Sequence, residues 1–339
     1  MSYTIDIYKK SIPAERDPIT FFAFVSFFPQ LVAGPIERAS NLLPQFHKKT
    51  EVSSDEVRIA LRQILWGFFK KVAIADQLAP IVDRMFTQHG DQPTIALWLG
   101  AFYFSIQIYC DFSGYSDIAI GVARLLGFKL MTNFRFPYFS RSISEFWSRW
   151  HISLSTWFRD YVYIPLGGNR VGIGRHLRNI LYTFMISGLW HGANWTFIAW
   201  GLLNGLYHLP MIIFKQAKYA HVKFAQKYIS LSKNTLAIPF VFLVTTITWI
   251  FFRADSIQIA FSYIYHLFAF KKGVPIFSSI EPLPWVILLA ISEYFMSKLT
   301  NPFAINRIPT VIRWIIYLLL AIVISKNYTI DQSFIYFQF

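Results

Sequence analysis

Apolar runs long enough to cross a bilayer recur along this chain, and they constrain its fold more than any other feature. A spanning helix needs about 20 mostly apolar residues, fewer where a segment is broken and packed in protein. Stretches 94–110, 180–214, 236–252, 283–295 and 311–324 have this character, and 180–214 reads as two segments parted around Gly188 to Asn194. Weaker runs are 19–36, Phe-rich but interrupted by Pro29 and Pro35, and 257–270. Backbone in hydrocarbon must satisfy its own hydrogen bonds, so the expected class is all-α, a multi-pass integral membrane helical bundle. No internal repeat or composition shift divides the chain, and 1–339 is read as a single membrane domain.

Composition supports this reading. Hydrophobic residues make up 55% and charged residues 15%, against about 25% charged in a soluble domain. The net charge of +14 alone would admit nucleic acid as a partner. The basic residues instead gather between apolar runs, as with Arg141, Arg149, Arg159, Arg170, Arg175 and Arg178. There they meet lipid headgroups or set topology. No basic stripe is interleaved with stacking aromatics outside the apolar segments, so nucleic acid is not expected. The single Cys110 excludes an internal disulfide framework and a cysteine-rich zinc site, and no metal site is expected. The first ten residues lack an apolar core before a cleavage site, so no cleavable signal is expected and insertion rests on the internal runs.

Two regions depart from the plain spanning pattern. In 58–86, Ile59, Leu61, Ile64, Leu65, Phe68, Phe69, Val72 and Ile74 alternate at helical spacing with Arg58, Arg62, Lys70 and Lys71. That predicts a membrane-associated or partly embedded helix. In 130–178, Pro137, Pro165, Gly167 and Gly168 break the chain, and Trp147, Trp150 and Trp157 suit an interface. Short interfacial helices and re-entrant backbone around a cavity are expected there, on the cytoplasmic side because of the arginine excess.

Three polar groups could carry chemistry. Ser187-Gly-Leu-Trp-His-Gly-Ala-Asn-Trp195 sets His191 in an apolar segment between Gly188 and Gly192, which share a helical face. An ionisable group at membrane depth is a functional hypothesis by default, and the glycines would admit a substrate or another backbone close to the imidazole. A structural histidine bonded between helices would give the same sequence. Glu145-Phe-Trp-Ser-Arg-Trp-His-Ile-Ser-Leu-Ser-Thr-Trp-Phe-Arg-Asp160 gathers His151 and Arg149 among three tryptophans. Glu145 and Arg149 can pair at i, i+4, whereas adjacent Arg159 and Asp160 are not expected to pair on a helix. A Trp-anchored interfacial helix accounts for the stretch equally well. Tyr109-Cys-Asp-Phe-Ser-Gly-Tyr-Ser-Asp117 ends the run from Thr94 with Asp111 and Asp117. These carboxylates either orient a buried partner or form a polar helix cap. Asp111, Asp117, Arg149 and Asn194 are thus the candidates for orienting groups or a substrate path, with His191 and His151 as the candidate catalytic residues.

Absences narrow the chemistry. The chain has no Gly-x-Ser-x-Gly elbow, His-Glu-x-x-His, Walker loop or dinucleotide fingerprint. None of its histidines has an aspartate five positions on. What remains is a membrane-embedded imidazole, suited to taking a hydroxyl proton while that oxygen attacks an activated acyl carbon.

At these residues the chain resembles the membrane-bound O-acyltransferase family, in particular its alginate-type O-acetylating branch. The resemblance runs through Phe28-Pro-Gln-Leu-Val-Ala-Gly-Pro-Ile-Glu-Arg38, Cys110-Asp-Phe-Ser-Gly-Tyr-Ser-Asp117, Ser144-Glu-Phe-Trp147, Arg149-Trp-His-Ile-Ser-Leu-Ser155, Pro165-Leu-Gly-Gly-Asn-Arg170, Trp190-His-Gly192 and Phe334-Ile-Tyr-Phe-Gln-Phe339. It implies His191 as the active-site histidine and His151 as a second functional one. It also implies a bundle around a tunnel in the bacterial inner membrane. No bound cofactor is implied; acetyl-CoA or another activated acetyl donor would act as a cytoplasmic substrate. Beyond membrane lipid, the implied partners are periplasmic or extracellular polysaccharide acetyltransferases. D-alanyl or lipid acyl transfer within the family, or a non-catalytic acyl conduit, are the alternatives. Relatives carry further apolar helices before the segment that here starts at Ser2, so N-terminal helices of the bundle are expected to be lacking.

Overall fold

The computed structural model describes residues 1–31, 33–219 (backbone alone for 215–219), 236–273, 280–328 and 334. Helices and irregular connections account for all of them, with no strand among the described residues. Three described helices are long and apolar enough to cross a membrane: Thr94–Leu125, Trp195–Phe214 and Thr310–Asn327.

Helix α1 (Ser2–Tyr8) is followed by α2 (Pro18–Val25), which starts where Asp17 caps Ile19 and Thr20 and Pro18 supplies a pre-set φ. The run 19–36 therefore yields a short helix, a 3₁₀ turn at Phe28–Gln30 and irregular backbone, because its prolines break it. Helix α3 (Ala39–Phe46) completes this N-terminal layer around Phe24, Phe27, Leu42 and Leu43.

The amphipathic 58–86 segment is a continuous rod. Helix α4 (Ser54–Phe68) opens on a capping box between Ser53 and Glu56, passes into a π-helical stretch at Phe69–Ala75, and continues as α5 (Asp76–Thr87). It packs along α6 (Thr94–Leu125), the 32-residue helix around which the core is built. A Cβ on Gly67 would lie 2.6 Å from the Gly114 carbonyl oxygen, and one on Gly114 would lie 2.8 Å from that of Gly67. Glycines are what let these backbones touch. Lys70 is not on a polar outer face: it continues the stripe that Ala60, Gln63 and Gly67 bury in α4 and is itself buried in the seam with α6.

Region 130–178 forms a 3₁₀ turn at Pro137–Phe139, α7 (Ile143–Arg149), α8 (Ile152–Phe158) and a π-helical turn at Arg159–Tyr163. The tight turn lets Arg159 Nε reach Asp160 Oδ1 at 2.7 Å. That corrects the expectation that these neighbours do not pair. Asp160 also binds Arg38 at 3.1 Å, tying the Phe28–Arg38 motif to this region. The preceding Glu37 accepts from the Met131 backbone N–H and from Asn41. Val32 of that motif and 335–339 of the terminal motif lie outside the described residues.

The 180–214 run is two helices, as its length suggested: α9 (Ile173–His191) and α10 (Trp195–Tyr219). Gly188 and Gly201 let them touch, since added Cβ atoms would lie 2.2 and 2.3 Å from the carbonyl oxygens of Phe197 and Phe184. Helices α11 (Ala237–Arg253) and α12 (Ile257–Leu267) close on α6 from another side. Then follow α13 (Leu283–Met296) and α14 (Thr310–Asn327). At 11 residues, α12 is too short to cross hydrocarbon. Val311, Ile315, Leu318 and Ile322 of α14, with Ile287 and Ile291 of α13, stand exposed. Apolar helix faces exposed in this way are what lipid or further apolar helices cover.

Candidate functional site

Residues 133–135 run beside the junction of α7 and α8. Arg135 N donates to Arg149 O at 2.9 Å, and Ile152 N donates to Asn133 O at 2.9 Å. These ties seat His151 at the N-terminus of α8, with a left-handed φ of 42° and its side chain buried. A non-glycine residue persists there only where its surroundings hold it. His151 Nδ1 lies 3.1 Å from Asn133 Oδ1, which also accepts from Ser153 Oγ at 2.9 Å. Asn133 Nδ2 donates in turn to Ser116 Oγ of α6 at 3.2 Å. Phe112 meets the His151 ring edge to face at 4.6 Å.

His191 ends α9, where Gly192 stops the helix. Its ring contacts Trp200 at 5.2 Å and Phe252 at 5.1 Å, both edge to face. The wall behind it continues through Trp249, 5.7 Å from Trp200, to Trp150, 5.0 Å from Trp249, and to Phe134, 5.1 Å from Trp150. Phe134 stacks near His151 at 6.4 Å. The two histidines, forty residues apart in sequence, therefore border one aromatic wall. Gly188 and Gly192 receive the backbone of Phe197 and its ring. Of the two roles open to these glycines, close approach of a second helix is the one visible in the packing.

The other candidates fall into separate settings. Asp117 lies on a cavity of about 800 Å³ that is also lined by Lys70, Arg149, Glu293 and Asn133. Lys70 Nζ binds Asp117 Oδ2 at 2.6 Å and Ser113 Oγ at 2.8 Å, while Gln63 donates to Asp117 Oδ1 at 2.9 Å. Asp111 is buried and pairs with Lys71 at 2.6 Å, a lysine shared with Asp76 at 2.8 Å. Both carboxylates lie well inside α6, which runs on to Leu125, so this cluster is not a helix cap. Adjacent lysines on the π-helical stretch thus neutralise two carboxylates six residues apart on α6. Arg149 pairs with Glu145 at 2.5 Å on α7, as its spacing indicated. Asn194 caps α10, accepting from Thr196 N at 3.1 Å and donating to Asp255 O at 3.0 Å. Nothing places it on the cavity with Asn133.

Lys70, Asn133 and Glu293 were not among the site residues expected from sequence. Glu293 Oε1 binds the Tyr109 hydroxyl at 2.7 Å, buried in an otherwise apolar helix. Each carries a weak signal in the chain: a carboxylate within 283–295, lysines within an apolar run, and an amide at the head of a motif-rich stretch.

An all-helical chain with apolar helices, a short-helix region beside them, and a buried and a half-buried histidine along one aromatic wall is the architecture of a helical membrane protein with polar groups set among apolar helices. The family profile of membrane-bound O-acyltransferases matches residues 10–253, and the chain belongs to that family. Every candidate residue from Asp111 to Asn194 falls inside the match. The chain is 44% identical over 270 residues to a probable alginate O-acetylase, AlgI, of Azotobacter vinelandii, covering 80% of this chain and 52% of that protein. It is 41% identical over 244 residues to the peptidoglycan O-acetyltransferase of Helicobacter pylori, covering 71% and 45%. With the teichoic acid D-alanyltransferase of Streptococcus thermophilus it shares 34% over 203 residues, covering 55% and 48%. The chain spans about half the length of the curated relatives it matches.

Proposed function

We propose that this chain is the site-bearing part of a multi-pass bacterial inner-membrane O-acetyltransferase that moves acetyl groups from a cytoplasmic activated donor toward an exported, alginate-like polysaccharide. The observation that carries the reading is the placement of His151 and His191 on one aromatic wall, with the Asn133 partner of His151 opening onto the polar cavity. Higher identity to the acetylating relatives than to the D-alanyltransferase favours acetyl as the group moved.

In this reading His191 is the general base. Its neutral imidazole takes the proton of an acceptor hydroxyl as that oxygen bonds to the acetyl carbon, and the carbon–sulfur bond of a thioester donor such as acetyl-CoA breaks. The proton then passes to the departing thiolate. His151 is the second polar station, and Arg149 and Asp117 line the approach on the cavity. Asp111, buried in its lysine pair, and Asn194, at the α10 cap, act on orientation of the helices. Short helices and re-entrant backbone of 130–178 would border a tunnel through which acetyl passes to periplasmic polysaccharide acetyltransferases.

Full-length protein in liposomes, supplied in turn with labelled acetyl-CoA and a D-alanyl carrier donor, tests the substrate class. Label transferred from acetyl-CoA to the protein, a partner or polymer is the expected result. Transfer of D-alanyl alone would overturn it.

A further inference from the structure

We propose that Asn133 is the positioning residue that fixes the tautomer of His151, keeping Nδ1 as an N–H and leaving Nε2 as the nitrogen with the free lone pair. The consequence for activity rests on the acyltransfer reading of His151; the tautomer follows from local geometry.

The orientation of the Asn133 amide is set by groups whose roles are unambiguous. Ser153 N is a backbone N–H, which can only donate, and it lies 3.3 Å from Asn133 Oδ1. The Ser153 hydroxyl donates to the same oxygen at 2.9 Å. At the other end, Asn133 Nδ2 donates to Ser116 Oγ at 3.2 Å. Reversing the amide would set its NH₂ against the Ser153 N–H, two donors face to face in a buried site. The atom facing His151 is therefore a carbonyl oxygen, with no hydrogen to give.

His151 Nδ1 stands 3.1 Å from that oxygen. Two lone pairs at this distance repel, so Nδ1 carries the hydrogen. A neutral imidazole has only one N–H, and Nε2 is then the acceptor. The second contact to Nδ1, Ser153 Oγ at 3.4 Å, agrees, because that hydroxyl already spends its proton on Asn133.

The rest of the frame keeps the ring in place. His151 holds a left-handed backbone, Ile152 N is anchored on Asn133 O at 2.9 Å, and Phe112 packs against the ring. Asn133 thus performs for His151 what a carboxylate or carbonyl does for a ligating or catalytic histidine elsewhere. Through Ser116 it also ties that choice to α6.

Full-length protein labelled with ¹⁵N-histidine in nanodiscs tests this, with the His151 signals assigned by their loss in His151→Gln. Nδ1 should carry the proton in the wild type. Asn133→Asp keeps an acceptor and should retain acetyl transfer within about tenfold. Its carboxylate favours the imidazolium, so the ¹⁵N titration profile of His151 should move to higher pH. Asn133→Leu removes the acceptor and should cost about 10- to 100-fold in transfer with the protein still in the membrane. If Asn133→Leu fails to accumulate, the wild-type spectrum and the Asn133→Asp profile decide. A wild-type signal with hydrogen on Nε2, or an unchanged His151 titration profile in Asn133→Asp, would overturn the proposal. Full transfer by His151→Gln with the Nδ1–H signal intact in the wild type would sink the acyltransfer role of His151 while supporting the tautomer.

Discussion

Lys70 shows how one side chain can decide whether a charged cluster is tolerable. Buried in the α4–α6 seam, it meets Asp117 and Ser113 beside the Glu293–Tyr109 pair. Removing one partner of a buried ion pair leaves an uncompensated charge and costs about 3–5 kcal/mol. Lys70→Met should therefore lower the detergent melting temperature sharply, and Lys70→Met with Asp117→Asn should recover part of the loss. A single variant as stable as wild type would show that water in the cavity already screens Asp117. Sequence pattern groups Lys70 with Arg58 and Arg62 as a polar residue of an amphipathic helix, although it lies seven residues from Gln63 and three from Gly67, on the face that α4 buries. Asn133 was likewise hidden: nothing local tells an amide that fixes a histidine from one that caps a turn. His151 and His191 stood out as candidates because ionisable groups in apolar, Trp-rich surroundings are costly enough to need a reason.

Among the elements, α9 and α10 depend on small residues. Gly201→Val would drive a side chain into the Phe184 carbonyl. Overpacking usually costs about 1–3 kcal/mol, and here the obstacle is backbone rather than a movable side chain. The helices should separate, lowering membrane abundance in a quantitative blot, whereas Gly174→Val, with open space around its Cβ, should leave abundance unchanged. Equal abundance of both variants would contradict the close packing. Apolar length located α6, α10 and α14 well, since a long unbroken apolar run leaves few folds open. It failed at 19–36 and 257–270, where prolines or polar flanks cut the helix short. It also stopped α6 at its polar cluster, because the cluster is satisfied by lysines from another helix rather than by solvent.

For the whole molecule, orientation follows from where positive charge gathers. The arginine excess of 130–178 is the basis for proposing that this region faces the cytoplasm. Asn169→Cys is an exposed position for a thiol probe, and the native Cys110 is buried. An impermeant maleimide should label it only after cells are opened; labelling from outside intact cells would reverse the topology. The central claim is that His191 performs acyl transfer rather than merely packing between helices. It is tested most directly by full-length protein in liposomes given labelled acetyl-CoA, comparing wild type with His191→Ala and His191→Gln at equal membrane abundance. Both variants should insert normally, because one half-buried imidazole contributes little to packing, and acetyl transfer should fall by at least about a hundredfold, the lower range for a lost general base. Undiminished transfer by His191→Gln would contradict the account.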